Sequence, residues 1–493
     1  MSKVYLVGAG PGDARLITCR GRDVLESASC VLYDHLVNQS LLDLAPPEAE
    51  RIYVGKKRAL HAHTQEEICA MLIDRARHGG NVVRLKGGDP FIFGRGGEEA
   101  EALFDAGIPF EVVPGVTTPL GIAAYTGVPL THRDHTSVVT FVTGHDVAQI
   151  DWERVGRADT LVLFMGLTNF SEIAAEIIKR GRSRETPAMV VRWATLPSQQ
   201  TLTGTLATLG DLIRGANLKP PATIVIGDVV RLREKLNWFE RLPLFGKRVA
   251  VTRARGQADA LSARLSELGA ETVEIPTIAI LPAEDYGPLD RAIESLPEYD
   301  WLIFTSANGV RFFLDRLRKS RFDLRAIRGR ICAIGPATGA AIEALQLKVD
   351  LTGREFVAEG LLDAFTAHDV TGKRVLLPRA AVARDLLPTT LRDRGALVDV
   401  VAAYRTVSPA DATERIRRAF DGSRKPHWIT FTSSSTVENF VRAVGAATLA
   451  GVRVAVIGPV TASTARRHGI AMDAAAEVFT TSGLIDAILR SET

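Results

Sequence analysis

Short apolar runs alternate with amphipathic segments along the first half of the chain, and this pattern predicts an α/β fold. Each run is short enough for a buried strand, and the segments between the runs have helical periodicity. The predicted strands cover residues 4–7, 30–33, 82–85, 138–142, 160–164, 189–191 and 224–226. Strands that alternate with helices are typical of parallel or mixed sheets with helices packed on their faces.

The pattern breaks in an aromatic, proline-containing segment at residues 236–245, and a new strand is predicted from Lys247. We therefore predict two domains, residues 1–240 and 241–493. With 493 residues, the chain is long enough for each domain to bury its own core.

The second domain contains an internal repeat. Its matched stretches are residues 246–254 with 372–380, 300–308 with 427–435, and 333–338 with 456–461. The order and nearly constant spacing predict two similar α/β lobes, with a ligand site in the cleft between them.

Charge and composition exclude several classes of protein. The chain has 60 basic and 57 acidic residues, so neither the net charge of +3 nor any local run predicts nucleic-acid binding. The four cysteines form no CxxC pair, which is typical of a reducing compartment. No stretch has the roughly 18 apolar residues of a membrane span, and the amino terminus does not resemble a signal peptide. We expect a cytoplasmic protein that binds neither nucleic acid nor membrane.

Five glycines lie close together after the predicted strand at residues 82–85. Gly87, Gly88, Gly94, Gly96 and Gly97 precede a helix pattern that begins near Glu98. Glycines at this density indicate a strained turn or close contact with a ligand. Since the loop follows the carboxyl end of a strand, it predicts a small-molecule site.

Two other patterns resemble known site types less closely. The turn from Gly8 to Gly12, with Asp34 after the next strand, suggests an NAD site, but Asp13 stands where the dinucleotide fingerprint has its third glycine. His61 with His63, and His132 with His135, have no cysteine or acidic cluster that would complete a metal site, so we predict no metal.

The first half of the chain resembles the uroporphyrinogen-III C-methyltransferases of the tetrapyrrole methylase family. The matching stretches are residues 7–13, 31–37, 54–56, 84–99, 113–117, 127–133, 142–145 and 164–166. The resemblance implies two α/β subdomains with the active site between them, a homodimer formed through this module, and methyl transfer from S-adenosylmethionine to uroporphyrinogen III at C-2 and C-7. The product would be precorrin-2, an intermediate for sirohaem or cobalamin.

The same resemblance implies the residues of the site. The cofactor would lie near Pro11, Gly87, Gly88, Asp89, Ile92, Thr117, Thr118, Met165 and Ala194, although Thr118 stands where the family commonly has a smaller residue. Asp34 and Lys56 match positions assigned to proton transfer, and Arg133 is a candidate for binding substrate carboxylates. Asp34 could instead cap the turn that follows it.

The second domain resembles uroporphyrinogen-III synthase over about residues 246–490. The matching stretches are residues 251–253, 304–309, 334–336, 404–405, 431–435 and 457–459. The resemblance implies two lobes that close hydroxymethylbilane into uroporphyrinogen III with inversion of ring D.

Substrate binding in this domain is predicted at Arg253, Thr305, Ser306, Thr338, Ser433, Ser434 and Thr461. Hydroxyl groups at strand ends and helix amino termini bind carboxylates, but they also cap helices. Tyr404 is the candidate proton donor to the departing hydroxyl, or else a packed aromatic residue.

We therefore predict a bifunctional enzyme that makes uroporphyrinogen III and methylates it. Two alternatives stay open: a methyltransferase whose second domain binds tetrapyrrole without catalysis, and an NAD-dependent dehydrogenase. Since no dinucleotide-binding module precedes the methylase strands, we also expect no oxidation of precorrin-2 and no insertion of iron.

Overall fold

The computed structural model describes residues 2–55, 63–253, 259–353, 358–421 and 424–492. They form two compact units. The first contains the chain up to Arg248 together with Arg264–Glu271 and Glu492, and the second contains Val249–Ala263 and Thr272–Ser491.

The first unit begins with a parallel five-stranded sheet. Its elements in chain order are β1 (Lys3–Gly8), α1 (Cys19–Glu26), β2 (Cys30–Tyr33), β3 (Glu50–Tyr53), α2 (Gln65–Arg77), β4 (Asn81–Lys86), α3 (Gly96–Asp105) and β5 (Phe110–Val113). The strand order is β3-β2-β4-β1-β5, and all neighbours run parallel. Apolar residues of these strands pack on both faces of the sheet, as the continuous apolar runs predict.

Helix α4 (Thr118–Thr126) leads to a second, mixed sheet in the same unit. Its elements are β6 (Val139–Thr143), α5 (Trp152–Val155), β7 (Thr160–Phe164), α6 (Phe170–Lys179), β8 (Pro187–Arg192), β9 (Gln200–Thr205), α7 (Leu209–Gly215), β10 (Ala222–Ile226) and α8 (Arg233–Leu236). The strand order is β6-β7-β10-β8-β9, in which only β6 and β7 are parallel neighbours. The predicted α/β class with parallel and mixed sheets is confirmed.

The chain enters the second unit within β11, and this unit contains two further sheets, although Arg264–Glu271 of α9 and β12 is grouped with the first unit. Its first elements are β11 (Arg248–Val251), α9 (Asp259–Glu267), β12 (Glu271–Glu274), β13 (Ala279–Pro282), α10 (Gly287–Glu294), β14 (Trp301–Phe304), α11 (Ala307–Leu317), β15 (Arg330–Ala333), α12 (Pro336–Glu343) and β16 (Leu351–Thr352). The remainder are α13 (Ala358–Ala364), β17 (Arg374–Ala380), α14 (Leu386–Asp393), β18 (Leu397–Val407), α15 (Ala412–Phe420), β19 (Trp428–Phe431), α16 (Ser434–Val444), β20 (Arg453–Val456), α17 (Pro459–Arg467), β21 (Ala474–Ala475) and α18 (Thr481–Glu492).

The two sequence repeats do not coincide with the two lobes. One sheet has the order β12-β11-β19-β20-β21, and the other has the order β13-β18-β17-β14-β15-β16. The repeat relates β11 to β17, β14 to β19 and β15 to β20, so each sheet takes strands from both repeats. The chain leaves the first lobe after β12 and returns to it at β19. A repeat identifies strands that are alike, whereas hydrogen bonding decides which strands pair.

Candidate functional site

Three loops of the first sheet meet at the carboxyl ends of β1, β4 and β5. A Cβ on Gly115 would lie 2.3 Å from the carbonyl oxygen of Gly88, and one on Gly8 would lie 2.5 Å from the Cα of Gly115. Side chains at Gly8 or Gly115 would therefore push these loops apart. Asp89 connects the loops after β4 and β5, since its Oδ2 accepts a hydrogen bond of 3.0 Å from the backbone N–H of Gly115.

The glycines after β4 thus serve mainly the packing of the loop itself. Gly88 has a φ of +68°, and the backbone N–H of Gly96 donates to the carbonyl of Pro90 at 3.0 Å. A Cβ on Gly94 would lie 2.7 Å from that same carbonyl oxygen, whereas Gly97 has open space around it. Helix α3 begins at Gly96, two residues before the predicted start.

The turn after β8 reaches the first loop of the chain. A Cβ on Gly12 would lie 2.8 Å from the carbonyl oxygen of Ala194, and one on Gly121 would lie 2.5 Å from Pro11. The backbone N–H of Asp13 donates to Thr195 Oγ1 at 2.9 Å. The two subdomains of the first unit therefore touch next to the predicted cofactor residues Pro11 and Ala194.

Strained backbone is concentrated around this meeting point. Phe93 follows β4, Met165 follows β7, and Trp193 and Thr195 follow β8; their φ values lie between +51° and +70°. Such conformations are costly for residues other than glycine and are found mainly at functional sites. The ring of Phe93 also lies 4.9 Å from that of Phe164, at the end of β7.

The structure brings most of the predicted cofactor residues to these loops. Pro11, Gly88, Asp89, Thr117, Thr118 and Ala194 lie in the contacting segments, and a Cβ on Gly88 would lie 3.4 Å from Thr118 Oγ1. Gly87 faces Leu36 instead. Ile92 and Met165 are exposed beside the loops. Backbone atoms without intervening side chains, next to exposed apolar groups, fit a small ligand that carries both polar and apolar parts.

Asp34 lies at the end of β2 above a buried cluster of charges. Its Oδ1 caps the following turn by accepting the N–H of Leu36 at 3.0 Å, and its Oδ2 lies 3.5 Å from a guanidinium nitrogen of Arg84. Arg84 also donates to Glu99 Oε1 at 3.1 Å, and Lys86 Nζ donates to the same oxygen at 2.9 Å. Burial, followed by the nearby Arg84 charge, lowers the pKa of Lys86.

Several predicted residues lie elsewhere or outside the described residues. Lys56 and His61 fall outside them. Arg133 is exposed in the turn between α4 and β6. The rings of His132 and His135 lie 4.9 Å apart. Within the described ranges, no group of three or more His, Cys, Asp and Glu residues is placed to hold a metal ion, and no helix is long and apolar enough to span a bilayer.

The second unit contains a cavity of about 430 Å³ between its two sheets. Thr305 and Ile334 follow β14 and β15 on one side, and Ser433 and Thr461 lie near the starts of α16 and α17 on the other. The cavity is therefore at the carboxyl ends of strands in both lobes, where α/β sheets bind ligands. Other lining residues include Ser434, Val460, Glu359, Arg379, Arg384 and Tyr404.

Tyr404 lines this cavity from β18 and is 7% exposed. Its hydroxyl lies 3.0 Å from Ser306 Oγ, and its ring stacks on Phe312 with the centroids 5.7 Å apart. Burial raises the pKa of Tyr404, so the hydroxyl keeps its proton. Tyr404 is thus both a packed aromatic residue and a candidate proton donor.

Some of the predicted hydroxyl residues cap helices, and four of them line the cavity. Ser306 and Ser433 cap α11 and α16, accepting backbone N–H groups at 3.0 and 3.3 Å. Thr305, Ser433, Ser434 and Thr461 line the cavity, whereas Ser306, Thr338 and Arg253 are not among its lining residues. Burial lowers the pKa of Arg253. Arg379 donates to the carbonyl of Arg384 at 2.8 Å and pairs with Asp385 at 2.5 Å, so it holds the loop after β17.

Sequence reasoning missed the residues that hold the sites together. Arg84 and Lys86 could have been recognised from the sequence, because charged residues inside a buried strand need buried partners. No sequence pattern marks Thr195 and Gln199, since their role depends on a contact with Asp13, which is far away in the chain.

Comparisons with known proteins match both units separately. Residues 3–210 match the model of the tetrapyrrole (corrin/porphyrin) methylases, and residues 259–486 match that of uroporphyrinogen-III synthase HemD. The methylase match includes Gly8, Gly12 and Asp34, and it does not support the dehydrogenase interpretation.

Some relatives match almost the whole chain, and others match about half of it. The porphyrin biosynthesis protein HemD of Ruminiclostridium josui is 37% identical over 99% of this chain and 97% of its own length. The siroheme synthase of Thiobacillus denitrificans is 51% identical over 48% of this chain and 50% of its own, so the match spans about half of that relative. A crystal structure of uroporphyrin-III C-methyl transferase from Thermus thermophilus, complexed with S-adenyl homocysteine, is 41% identical and covers 47% of this chain and 99% of its own, with a TM-score of 0.42.

The HemD relative aligns with both units at once, over almost the whole of both chains. A methylase domain followed by a synthase domain is therefore the organisation of the whole chain. The chain belongs to the family of fused tetrapyrrole methylase and uroporphyrinogen-III synthase proteins of porphyrin biosynthesis.

Proposed function

We propose that the first unit transfers methyl groups from S-adenosylmethionine to C-2 and C-7 of uroporphyrinogen III and so forms precorrin-2. The observation that carries this proposal is the meeting of the Pro11, Gly88, Thr117 and Ala194 loops at the ends of two sheets. That geometry belongs to a domain of the methylase family.

The residues around these loops fit the proposed cofactor. Backbone groups near Pro11, Gly88, Asp89, Thr117 and Ala194 would hold its polar parts, and Ile92 and Met165 offer exposed apolar surface. S-adenosylmethionine supplies an electrophilic methyl group when it is bound. The protein's own contribution is to orient the two reactants and exclude water, because carbon methylation depends mainly on positioning.

Asp34 is the proposed acceptor for the proton that the methylated ring releases. Its Oδ2 lies 3.5 Å from a guanidinium nitrogen of Arg84. Lys56 is proposed to assist from the sequence resemblance alone.

We propose that the second unit closes hydroxymethylbilane into uroporphyrinogen III with inversion of ring D. The cavity between the lobes supports this role, since it is lined by hydroxyl groups and by the amino-terminal ends of α16 and α17. Helix amino termini attract anions such as the substrate's carboxylates. Tyr404 would donate a proton to the departing hydroxyl.

Equilibrium binding to the full chain tests the methylase proposal. S-adenosylhomocysteine should bind in isothermal titration calorimetry, and NAD should give no binding heat. Binding of NAD without binding of S-adenosylhomocysteine would overturn the proposal.

The synthase proposal is tested on the full chain without S-adenosylmethionine. Hydroxymethylbilane should yield the inverted type III isomer, separated by chromatography after oxidation to the porphyrins. Recovery of only the uninverted type I isomer would favour the alternative of a second unit that binds tetrapyrrole without catalysis. The homodimer and the cytoplasmic location stay predictions from the sequence.

A further inference from the structure

The segment at residues 236–240, which follows the second sheet, packs against the rest of the first unit near the candidate cofactor site. Trp238 Nε1 donates to the carbonyl of Ala124 at 2.7 Å, and the Phe239 ring lies 4.7 Å from that of Tyr125. Gly127, with a φ of +71°, lets this segment pass closely, because a Cβ there would lie 2.3 Å from the carbonyl group of Leu236. The segment therefore packs on the carboxyl end of α4, the helix that begins at Thr118.

The carboxylate of Glu240 in this segment has three hydrogen-bonding partners. Its Oε1 accepts Gln199 Nε2 at 2.8 Å and Thr201 Oγ1 at 2.7 Å, and its Oε2 pairs with Arg233. Only 18% of its side chain is exposed. Arg233 also donates to the carbonyl of Thr126 at 2.8 Å, which connects the pair to the end of α4.

The bonds continue inward from Glu240 to the cofactor loops. Gln199 is 5% exposed, and its Oε1 accepts the backbone N–H of Thr195 at 2.9 Å. Thr195 is 2% exposed, has a φ of +70°, and accepts the backbone N–H of Asp13 at 2.9 Å. A β-branched residue in this left-handed conformation is strained and persists only when its surroundings hold it. Gln199 supplies such a hold.

We propose that Glu240 and Gln199 are positioning residues for the S-adenosylmethionine site, although neither needs to touch the cofactor. They hold the turn at residues 193–195 against the loop at residues 11–13, and both of these segments contribute predicted cofactor residues. The inference rests on the proposed methylase function. It extends the functional methylase past residue 210, where the family match ends.

The test compares variants of the full chain by calorimetric binding of S-adenosylhomocysteine. Glu240→Ala and Gln199→Ala should each weaken binding about tenfold or more. Glu240→Gln, which keeps the shape but loses the charge, should lie between these variants and wild type. Lys235→Ala, an exposed change on the neighbouring helix α8, should bind like wild type.

Steady-state methylation separates positioning from general damage to the fold. The KM for S-adenosylmethionine should rise by the same factor as the dissociation constant, while kcat at saturating cofactor stays within about twofold. Wild-type affinity in Glu240→Ala and Gln199→Ala would overturn the positioning role. A fall of kcat by that same factor in the isosteric variant Glu240→Gln, with unchanged affinity for S-adenosylhomocysteine, would also overturn it. Failure of the wild-type chain to bind at all would instead overturn the proposed function.

Discussion

Tyr404 shows how one side chain can be both packed and chemically available. Its ring is stacked on Phe312, which fixes its orientation, and the residue lines the cavity between the lobes. The raised pKa keeps the hydroxyl protonated throughout the neutral range, and a proton donor needs that state. Ser306, which caps α11, fixes the hydroxyl from one side.

Tyr404→Phe should slow the formation of uroporphyrinogen III on the order of 10²-fold, because it removes the proposed donor and keeps the ring. The rate is measured from hydroxymethylbilane, with the isomers separated by chromatography. An unchanged rate of type III formation would show that Tyr404 has only a packing role.

Tyr299→Phe is a matched control in the same unit. Tyr299 is also buried, and its hydroxyl donates to Asp399 Oδ2 at 2.6 Å, but it is not among the residues that line the cavity. This variant should lose about 1 kcal/mol of unfolding free energy with the synthase rate unchanged.

At the scale of the elements, strand β4 contains two buried charged residues. Arg84 and Lys86 are each 4% exposed and share Glu99 of α3, which is fully buried and also accepts Gln65 at 3.2 Å. Both cations lie directly before the loop that begins at Gly87. Removing one member of such a cluster leaves uncompensated charge in the core.

Glu99→Gln should therefore reduce the unfolding free energy of the first unit by about 3–5 kcal/mol, as measured by urea denaturation. Its neighbour Glu98 pairs with Arg95 on the surface, so Glu98→Gln should change the stability by less than about 1 kcal/mol. Equal effects of the two substitutions would contradict the buried-cluster account.

Acid should weaken the attachment of β5. Glu111 at this edge accepts hydrogen bonds from Arg20 and Lys3, which together lower its pKa to about 2. Because the folded-state pKa lies below the unfolded value of about 4.3, the contribution is complete above that value. It is lost as the pH falls through the folded-state pKa.

Glu111→Gln should thus cost about 1 kcal/mol or less at pH 7, and this cost should shrink progressively as the pH falls towards the folded-state pKa of about 2. Urea denaturation across this pH range measures the difference from wild type. Glu101→Gln, an exposed change on α3, serves as the control for removing a surface carboxylate. A Glu111→Gln difference that stayed constant with pH would contradict the assignment.

At the scale of the whole molecule, the apolar runs were sufficient to predict the fold class and most strands of the first unit. They missed β3, β5 and β9, which carry polar residues or lie at sheet edges. The repeat predicted two similar lobes, but it did not reveal that the chain exchanges strands between them. Pairing between distant strands leaves no local pattern.

The candidate sites were predictable only in part, for the same reason. Motifs located the loops that converge near Gly88 and the strand ends around the second cavity. The hydrogen bonds from Glu240 to Asp13 pass through residues from three separate parts of the chain. No spacing rule connects such residues.

The central claim is that one chain makes the tetrapyrrole and then methylates it. The most direct test incubates the full protein with hydroxymethylbilane and methyl-labelled S-adenosylmethionine and follows label in the tetrapyrrole by chromatography and mass spectrometry. We predict a product of the type III series that carries two labelled methyl groups. Consumption of hydroxymethylbilane to an unmethylated type I product would contradict the claim.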